Sequence, residues 1–251
     1  MSRRRSLLLE VKELFMDELT QGKIPIQGNK LPSEEELARS LDVSRTTMRE
    51  LLATLHKEGV ITKRHGLGNF IHFSALEQGY RIDRTRDFGS LIALGGKHPG
   101  YSVSSRSLTD DADEEKLRKA FSLPLSDEGR YVSTRCTFFA DGEAAIHCLV
   151  FVPEKLLTSR PTDVGEENVY AFLRKYCGQE VEHPLIWFEP TSCDTDLSSC
   201  FGIPEGTPII EWKEQFYNIY DEVICYSLTW FHPVSMKLSM LRKTWEDFSL
   251  R

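Results

Sequence analysis

Two arginines and two threonines at the start of a predicted helix have the chemistry to bind a nucleic acid. Arg45 and Arg49 are four positions apart, so at ~100° per residue their side chains project about 40° from each other. Thr46 and Thr47 add hydroxyl groups to the same turn. Guanidinium groups bind guanine O6 and N7 in the major groove, and hydroxyl groups bind phosphates. The segment therefore predicts a recognition helix.

A basic turn that contains two glycines follows this helix. Apolar residues at 60–61 and 70–73 flank the string KRHGLGN, which predicts a two-stranded wing. Its basic side chains can lie along a phosphate backbone or at the minor groove, and glycines permit a tight tip and close backbone approach. The candidate contacts of the wing are Lys63, Arg64, His65, Gly66 and Gly68.

Three predicted helices must position the recognition turn. Apolar residues with a 3.6-residue period run from Leu7 to Leu19 and predict the first helix. Ser33 followed by Glu36 is a capping box that predicts the start of the second helix. Ser44 can cap the third helix, and Gly59 can end it. The order of three helices and a wing predicts a winged helix-turn-helix.

The string LPSEEELARSLDVSRTTMRELLATLHKEGVITKRHGLGNF resembles the DNA-binding domain of the GntR family of regulators. The resemblance covers residues 6–73. It implies that Arg45, Thr47 and Arg49 contact the operator in the major groove, and that His65 to Gly68 reach the minor groove. The candidate DNA-binding residues are Ser33, Ser44, Arg45, Thr46, Thr47, Arg49, Lys63, Arg64, His65, Gly66 and Gly68.

Positive charge is concentrated in the N-terminal part of the chain. Residues 1–74 contain 12 Lys and Arg and 10 Asp and Glu, a net charge of +2. The remaining residues have a net charge of −9, and the whole chain has −7. Because a polyanion is attracted to the basic part, we expect double-stranded DNA to bind to residues 1–74.

The second part of the chain alternates predicted strands with short helices. We place a DNA-binding domain at 1–74, a polar linker at 75–86 and a second domain at 87–251. The predicted strands are 101–108, 130–139, 143–152, 184–191 and the two arms of a hairpin within 207–233, and the predicted helices are 113–121, 168–178 and 194–202. Without β-α-β regularity, this order indicates an α+β domain built on an antiparallel sheet.

Several short segments are similar to the effector-binding UTRA domain of the HutC branch of GntR regulators. They are the helix and leucine-proline step at 113–124, the ADGE turn at 140–143, Pro153, the helix at 168–177, the string FGIPEG at 201–206 and Tyr226-Ser227. The resemblance implies a chorismate-lyase-like fold with a pocket for a small-molecule metabolite. It also implies a homodimeric repressor that reads a pseudo-palindromic operator, with ligand binding changing the spacing of the two DNA-binding domains.

The same resemblance implies a set of effector-binding candidates. They are Ser90, Arg135, Cys136, Phe138, Cys148, Tyr170, Cys225, Tyr226 and His232. Two arginines common in the family before the ADG turn correspond to Cys136 and Phe138, and a register slip of one residue would bring Arg135 to the pocket. Carboxylates common in the family fall at Cys148 and Cys225.

The family's arginine after the last strand also differs, because His232 stands there. With these polar anchors changed, a sugar phosphate is disfavoured as the ligand, since arginine pairs are the groups that grip phosphates. Two interpretations stay open. These positions are core positions, or they line a modified and less polar pocket.

No enzyme motif is present. The chain has no glycine-rich phosphate loop, no GxSxG and no HExxH, and its histidines and carboxylates have no catalytic spacing. We therefore expect no enzyme, no cofactor and no metal. Two alternatives to a ligand-responsive regulator remain: an enzyme of chorismate-lyase type, which needs acidic or basic groups converging in the pocket, and a DNA-binding protein that has lost its effector.

The cysteines and the hydropathy indicate a cytoplasmic protein. The six cysteines form no CxxC pair, so we expect buried free thiols, with a redox switch as the alternative. No apolar run approaches the ~18–20 residues of a membrane span. Charged residues interrupt the leucine-rich start too early for a signal peptide.

Overall fold

The computed structural model describes residues 2–76, 79–84, 87–123, 129–159 and 167–242. The chain divides into two units, Met1–Arg84 with Ser239–Arg251, and Thr85–Leu238. In the described residues, no helix has both the length and the apolar composition to cross a membrane.

The first unit has the predicted order of helices followed by a two-stranded wing. Its elements are α1 (Ser2–Thr20), α2 (Glu34–Ser40), α3 (Arg45–Lys57), β1 (Ile61–Arg64), β2 (Gly68–Ile71) and α4 (Phe73–Leu76). One apolar face of each of the first three helices enters a common core, where Phe15, Met48, Leu51 and Leu55 are fully buried. The periodicity that predicted these helices is therefore explained by packing.

Two serines begin α2 and α3, as predicted. The Ser33 hydroxyl accepts a hydrogen bond from the backbone N–H of Glu36, whose carboxylate accepts one from the backbone N–H of Ser33. The Ser44 hydroxyl accepts a hydrogen bond from the backbone N–H of Thr47 at 3.0 Å. Each cap satisfies a backbone donor that an α-helix leaves open at its start, so the capping box is confirmed.

Part of the predicted linker is fixed in the first unit by one buried arginine. The Arg81 side chain is 2% exposed and forms an ion pair with Asp83. It also donates to the backbone carbonyl oxygens of Glu58 at 3.0 Å and Ala75 at 3.4 Å. Glu58 is the C-cap of α3, so Arg81 joins the end of this helix to residues 79–84.

The C-terminal segment returns to the same place. Ser239 pairs with Arg81 in a parallel bridge, and its backbone N–H donates to Tyr80 O at 3.1 Å. The division into units thus differs from the predicted boundaries, which placed these C-terminal residues with the second domain. Local sequence carries no signal for this pairing because it joins segments that are distant along the chain. Of the predicted linker, residues 77, 78, 85 and 86 lie outside the described residues.

The second unit is an antiparallel α+β domain, as predicted. Its described elements are α5 (Phe88–Leu94), β3 (Pro99–Leu108), α6 (Asp111–Phe121), β4 (Tyr131–Ala140), β5 (Glu143–Pro153), a 3₁₀ turn (Glu154–Leu156), α7 (Val169–Cys177), β6 (His183–Ser192), α8 (Thr195–Phe201), β7 (Pro208–Tyr217) and β8 (Val223–Phe231). Six strands form one sheet in the order β3-β4-β5-β8-β7-β6, and every neighbouring pair is antiparallel. Pro124, in the predicted leucine-proline step, lies outside the described residues.

Helix α5 was not predicted. Its seven residues are too few to show a helical period in the sequence, although Asp87 caps its first turn by accepting from the backbone N–H of Ser90.

Helices cover both faces of the sheet. On the face that we call the α6 face, Leu117 of α6 and Leu197 of α8 pack with Leu149 and Trp230. On the opposite face, which we call the α5 face, rings of α5 and α7 pack against the strands. These ring contacts join Phe88 to Phe138, Trp212 and Phe231, and Tyr170 to Phe216. Because side chains alternate along a strand, neighbouring residues belong to different faces.

Candidate functional site

The first turns of α3 present their polar side chains to solvent. Arg45 and Arg49 are 68% and 71% exposed, and Thr46 is exposed beside them. The opposite side of the helix is fully buried at Met48 and Leu52. The helix therefore has one face fixed in the core and one basic face free of packing, the arrangement that a recognition helix needs.

The basic side chains of this face form ion pairs with α2. Arg45 pairs with Glu35, and Arg49 Nε lies 3.2 Å from Glu34 Oε2. Lys63 of β1 lies 3.5 Å from the same Glu34 carboxylate. Exposed ion pairs contribute only ~0–1 kcal/mol to stability. Replacing these carboxylate partners with DNA phosphates therefore costs little free energy.

The two candidate serines act first as helix caps. The Ser44 hydroxyl also lies 2.8 Å from the Thr47 hydroxyl, which is half-buried. Ser33 stands at the start of α2 in the capping box. Both serines therefore fix helix starts, and the N-terminus of α3 has the partial positive charge that attracts a phosphate.

The wing tip is exposed from Arg64 to Gly68. Gly66 and Gly68 have φ angles of +73° and +110°, which L side chains rarely adopt. A Cβ on Gly68 would also lie 3.2 Å from the Cε atom of Lys30. The glycines are thus required by the turn itself. Leu67, which the sequence analysis passed over, is exposed at the tip beside His65.

Five of the effector candidates lie on the α5 face and a sixth lies in α5 itself. The strand residues of this group are Cys136, Phe138, Cys148 and Cys225, with Tyr170 in α7 and Ser90 in α5. Cys136 is the direct cross-strand partner of Cys148. The Ser90 hydroxyl donates to Asp87 at 2.8 Å and is exposed.

The other three candidates lie on the α6 face. Arg135 forms a 2.5 Å ion pair with Asp113. The Tyr226 ring centroid lies 4.9 Å from that of Phe121. His232 packs edge-on against the α8 ring of Phe201, with 5.7 Å between the ring centroids.

The suggestion that a register slip brings Arg135 to the pocket is wrong for this structure. Cys136 and Arg135 are neighbours on β4, so their side chains point to opposite faces of the sheet. The pairing of Cys136 with Cys148 keeps this register through the middle of the strands.

An arginine that the sequence analysis missed lies on the α5 face. The side chain of Arg106 on β3 is only 3% exposed, and its Nε donates to the Thr134 hydroxyl at 3.2 Å. Its guanidinium carbon lies 4.5 Å above the centre of the Phe172 ring. The Arg106 Nη1 lies 3.7 Å from Glu167 Oε2, beyond hydrogen-bond distance. Both of these atoms are buried without a hydrogen-bond partner.

A buried carboxylate was also missed. Glu214 of β7 is 5% exposed and is the direct cross-strand partner of Ser227 on β8. Its neighbours on the same face of β7 are Trp212 and Phe216. Burial raises the pKa of Glu214 to about 8. The signal in the sequence is the string WKEQF, in which a carboxylate occupies the middle of an otherwise aromatic alternate row.

Aromatic residues flank this carboxylate on β7, and further rings extend along the face. The Phe88 ring centroid lies 5.5 Å from that of Phe138, and 5.6 Å from those of Trp212 and Phe231. The Trp212 indole nitrogen is buried without a partner at full hydrogen-bond geometry, although it is close enough to Glu214 to lower the pKa of that carboxyl. The α5 face therefore offers apolar rings and a few polar groups that the fold leaves unsatisfied, which is the chemistry of a small-molecule site.

The six cysteines are free thiols, and all except the half-buried Cys200 are buried. Burial raises the pKa of the Cys148 thiol well above its usual range. A hydrogen bond with Cys148 has the largest effect on the pKa of Cys136 and lowers it. The predicted burial of the thiols is confirmed at five positions, and the redox switch stays an alternative.

A cleft of about 410 Å³ opens on the α6 face. Its lining residues include Glu143, Cys200 and His232. Beside it, the His147 Nδ1 lies 3.0 Å from the Thr137 hydroxyl and 3.5 Å from the Cys200 sulfur. Burial lowers the pKa of His147 to about 4 and raises that of Cys200. This pair is neutral near pH 7, so it lacks the thiolate that nucleophilic catalysis requires.

Metal ligation has no support in the part of the chain that the structure describes. Within those ranges, no group of three or more His, Cys, Asp and Glu side chains is arranged to hold a metal ion.

Comparison with known proteins gives two family matches. Residues 8–71 match the bacterial regulatory proteins of the gntR family, and residues 95–237 match the UTRA domain. Both are families of transcriptional regulators and not of enzymes.

Individual relatives cover different shares of the chain. The transcriptional repressor NagR of Bacillus subtilis strain 168 is 25% identical over 187 residues, 74% of each chain. The transcriptional regulator GgaR of Escherichia coli strain K12 is 38% identical over 72 residues, 29% of this chain and 28% of its own length. The crystal structure of YydK from Bacillus subtilis subsp. subtilis str. 168 covers 94% of this chain and 99% of its own, with a TM-score of 0.69 and 14% identity.

Proposed function

The chain belongs to the gntR family of bacterial regulatory proteins and carries a UTRA domain, so it is a DNA-binding transcriptional regulator. From this premise we propose that it is a cytoplasmic, homodimeric repressor, and that a small metabolite bound in the second unit releases it from a pseudo-palindromic operator.

The exposed first turns of α3 carry the DNA-binding proposal. Arg45, Thr46 and Arg49 lie on the one side of this helix that does not enter the core. Their partners in the free protein are surface carboxylates, which DNA can replace. We expect Arg45, Thr47 and Arg49 to read bases, and the wing from Lys63 to Gly68 to follow the phosphate backbone.

The homodimer proposal is supported by the edge strand β6. Leu185, Trp187 and Phe188 are large apolar side chains that remain exposed on this strand. Leu185 and Trp187 share one face of the strand, and Phe188 lies on the other beside Trp212. Exposed apolar side chains on an edge strand favour association with a partner protein. Pro184 and Pro190 remove two backbone donors from β6, which favours packing of side chains over addition of a strand. Two copies would read the two halves of a pseudo-palindrome.

The effector proposal is supported by the α5 face. Unsatisfied polar atoms and aromatic rings meet there, and most of the effector candidates lie there. The relative NagR is named a transcriptional repressor, which supports repression over activation in this proposal.

Fluorescence anisotropy with the protein's own promoter tests the function. At one fixed salt concentration, we expect two chains per site and binding at least ~10³-fold tighter than to scrambled DNA of equal length. Equal and weak binding to both DNAs would overturn sequence-specific recognition.

Arg49→Ala tests the residue-level proposal. We expect a loss of ~1–3 kcal/mol at one base pair and relaxed specificity there, because a bidentate contact to guanine is lost. Arg39→Ala is the matched control, since Arg39 also pairs with a carboxylate of α2 but lies outside α3. A uniform loss on all sequences would instead assign Arg49 to phosphate contact.

A further inference from the structure

We propose that the effector carries an organic cation, an ammonium group on an apolar body, and that this cation pairs with Glu214 between the aromatic rings of the α5 face. This inference rests on the proposed function, because it assigns the ligand class of the effector site placed there.

The first argument is the missing counter-ion. Glu214 is almost completely buried. The Trp212 side chain lowers its pKa, but among the described residues no lysine, arginine or histidine contributes to its electrostatic surroundings. Ionising a buried carboxyl group without a counter-ion is costly, so Glu214 stays protonated until a cation comes beside it. A cationic ligand supplies the missing partner.

The second argument is the ring of aromatic side chains. Trp212 and Phe216 flank Glu214 on β7, and the Tyr170 ring packs edge-on against Phe216 at 5.8 Å. Phe88 lies 5.6 Å from the Trp212 ring. Aromatic faces attract cations, most strongly where water is excluded, and a cage of rings with one carboxylate is the arrangement that binds organic ammonium groups.

The third argument is the charge of the rest of the α5 face. Its arginine, Arg106, already has the Glu167 carboxylate at 3.7 Å and the Phe172 ring beneath its guanidinium. Asp87, the N-cap of α5, is another carboxylate, and its charge helps to raise the pKa of Tyr170. Glu167 also pairs with Lys175, so the cations at this end of the face already have a carboxylate partner and attract an anionic ligand less than a free guanidinium would.

Ligand binding should be coupled to release of a proton. Burial keeps Glu214 protonated near pH 7, because its pKa is about 8. The titratable groups that face it are Tyr170 of α7, Cys148 of β5 and Cys225 of β8, and burial raises the pKa of all three, so they stay neutral. A cation requires the ionised carboxylate. Affinity should therefore rise about tenfold per pH unit below pH 8 and level off above it.

Isothermal titration calorimetry on the full chain tests the ligand class. The probes are benzyltrimethylammonium, its neutral analogue benzyl alcohol and the anionic phenyl phosphate, at concentrations up to about 10 mM. We expect binding of the ammonium probe alone, with close to one proton released at pH 7 in buffers of different ionisation enthalpy. Glu214→Gln should weaken this binding at least tenfold while the protein stays folded.

Glu211→Gln is the matched control. Glu211 lies on the same strand, is also largely buried, and accepts a hydrogen bond from Trp230 on the α6 face. This variant should bind the ammonium probe like the unaltered chain. Failure of the ammonium probe to bind, tighter binding of phenyl phosphate, or equal loss in both variants would overturn the proposal.

Operator anisotropy with the same probes separates the two proposals. Glu214-dependent binding of the ammonium probe without any change in DNA affinity would keep the ligand class and overturn metabolite control through this site. Release of DNA by an anionic metabolite instead would keep metabolite control and overturn the ligand class.

Discussion

The proposed DNA-binding surface of α3 and the α5 face of the sheet place their charges in opposite environments. Arg45 and Arg49 are exposed and have surface partners, whereas Glu214 is buried and has no cation beside it among the described residues. In water a charge is available at little cost, so a surface that meets a polyanion needs only the right positions. Inside the protein an unpaired charge is costly, so Glu214 holds its proton until a cationic ligand pairs with it.

Burial alone does not distinguish a ligand site from a structural one. Arg81 is as buried as Glu214, but a carboxylate and two backbone carbonyl groups satisfy it. The difference lies in the partners that the fold supplies. Changes at Glu214, Arg81 and Glu34 should therefore alter stability in decreasing order.

Glu214→Gln should give the largest effect, and the effect should depend on pH. Because burial raises the pKa of Glu214 from 4.5 to about 8, the folded chain holds a proton that the unfolded chain loses within this range. The contribution of Glu214 to stability is complete below about pH 4.5 and falls by ~1.4 kcal/mol per pH unit until about pH 8. Urea unfolding at pH 5, 6.5 and 8 should show the variant gaining on the unaltered chain as pH rises.

The difference between the two proteins is the quantity to compare. The pH dependence of stability that His147 contributes has the opposite sign. Burial lowers the pKa of His147 to about 4, so its contribution to the free energy of unfolding rises with pH between about 4 and 6.5. This contribution is common to both chains and cancels. A difference that does not change between pH 5 and 8 would contradict the assignment of an unpaired carboxylate.

Arg81→Met should lower the free energy of unfolding of the first unit by ~2–4 kcal/mol, because Asp83 and two carbonyl groups lose their donor. Circular dichroism during urea unfolding measures this loss. Arg84→Met is the control, since Arg84 makes a 3.3 Å ion pair with Glu58 at the same end of α3. It should cost about 1 kcal/mol or less. Equal losses would show that Arg81 has no special role.

Glu34→Gln should have the smallest effect on stability, within ~0.5 kcal/mol, because its ion pairs are on the surface. It frees Arg49 and Lys63 for DNA, so operator affinity at low salt should rise by ~0.3–1 kcal/mol in an anisotropy titration. Glu18→Gln removes another surface ion pair far from α3 in the chain and should leave affinity unchanged. An equal rise in both variants would indicate only a general charge effect.

Most of the fold could be predicted from the sequence because its signals are local. Helix caps at Ser33 and Ser44 and alternation along the strands depend on residues a few positions apart. Helix α5 escaped prediction because it is short. The pairing of Arg81 with Ser239 escaped because no local pattern connects two distant segments.

The two candidate sites also differ in how far local sequence predicts them. The proposed DNA-binding residues of α3 follow one another along one helix, so spacing alone is enough to put them forward together. The α5 face is assembled from strands whose neighbours depend on register, which brings Arg106 opposite Thr134 and Glu214 opposite Ser227. Alignment to a family pattern identified Cys136 and the other replaced positions, but it could not identify residues that have no counterpart in the pattern.

The return of Ser239 to Arg81 has a consequence for synthesis on the ribosome. The second unit is an insertion within the first, because residues on both sides of it complete the same set of hydrogen bonds. Translation adds residues 239–242 only after the whole of the second unit. The nascent DNA-binding unit therefore cannot form its hydrogen bonds to Ser239 until then. An exchange of effector units between regulators of this design therefore needs two junctions, one after residue 84 and one before residue 239.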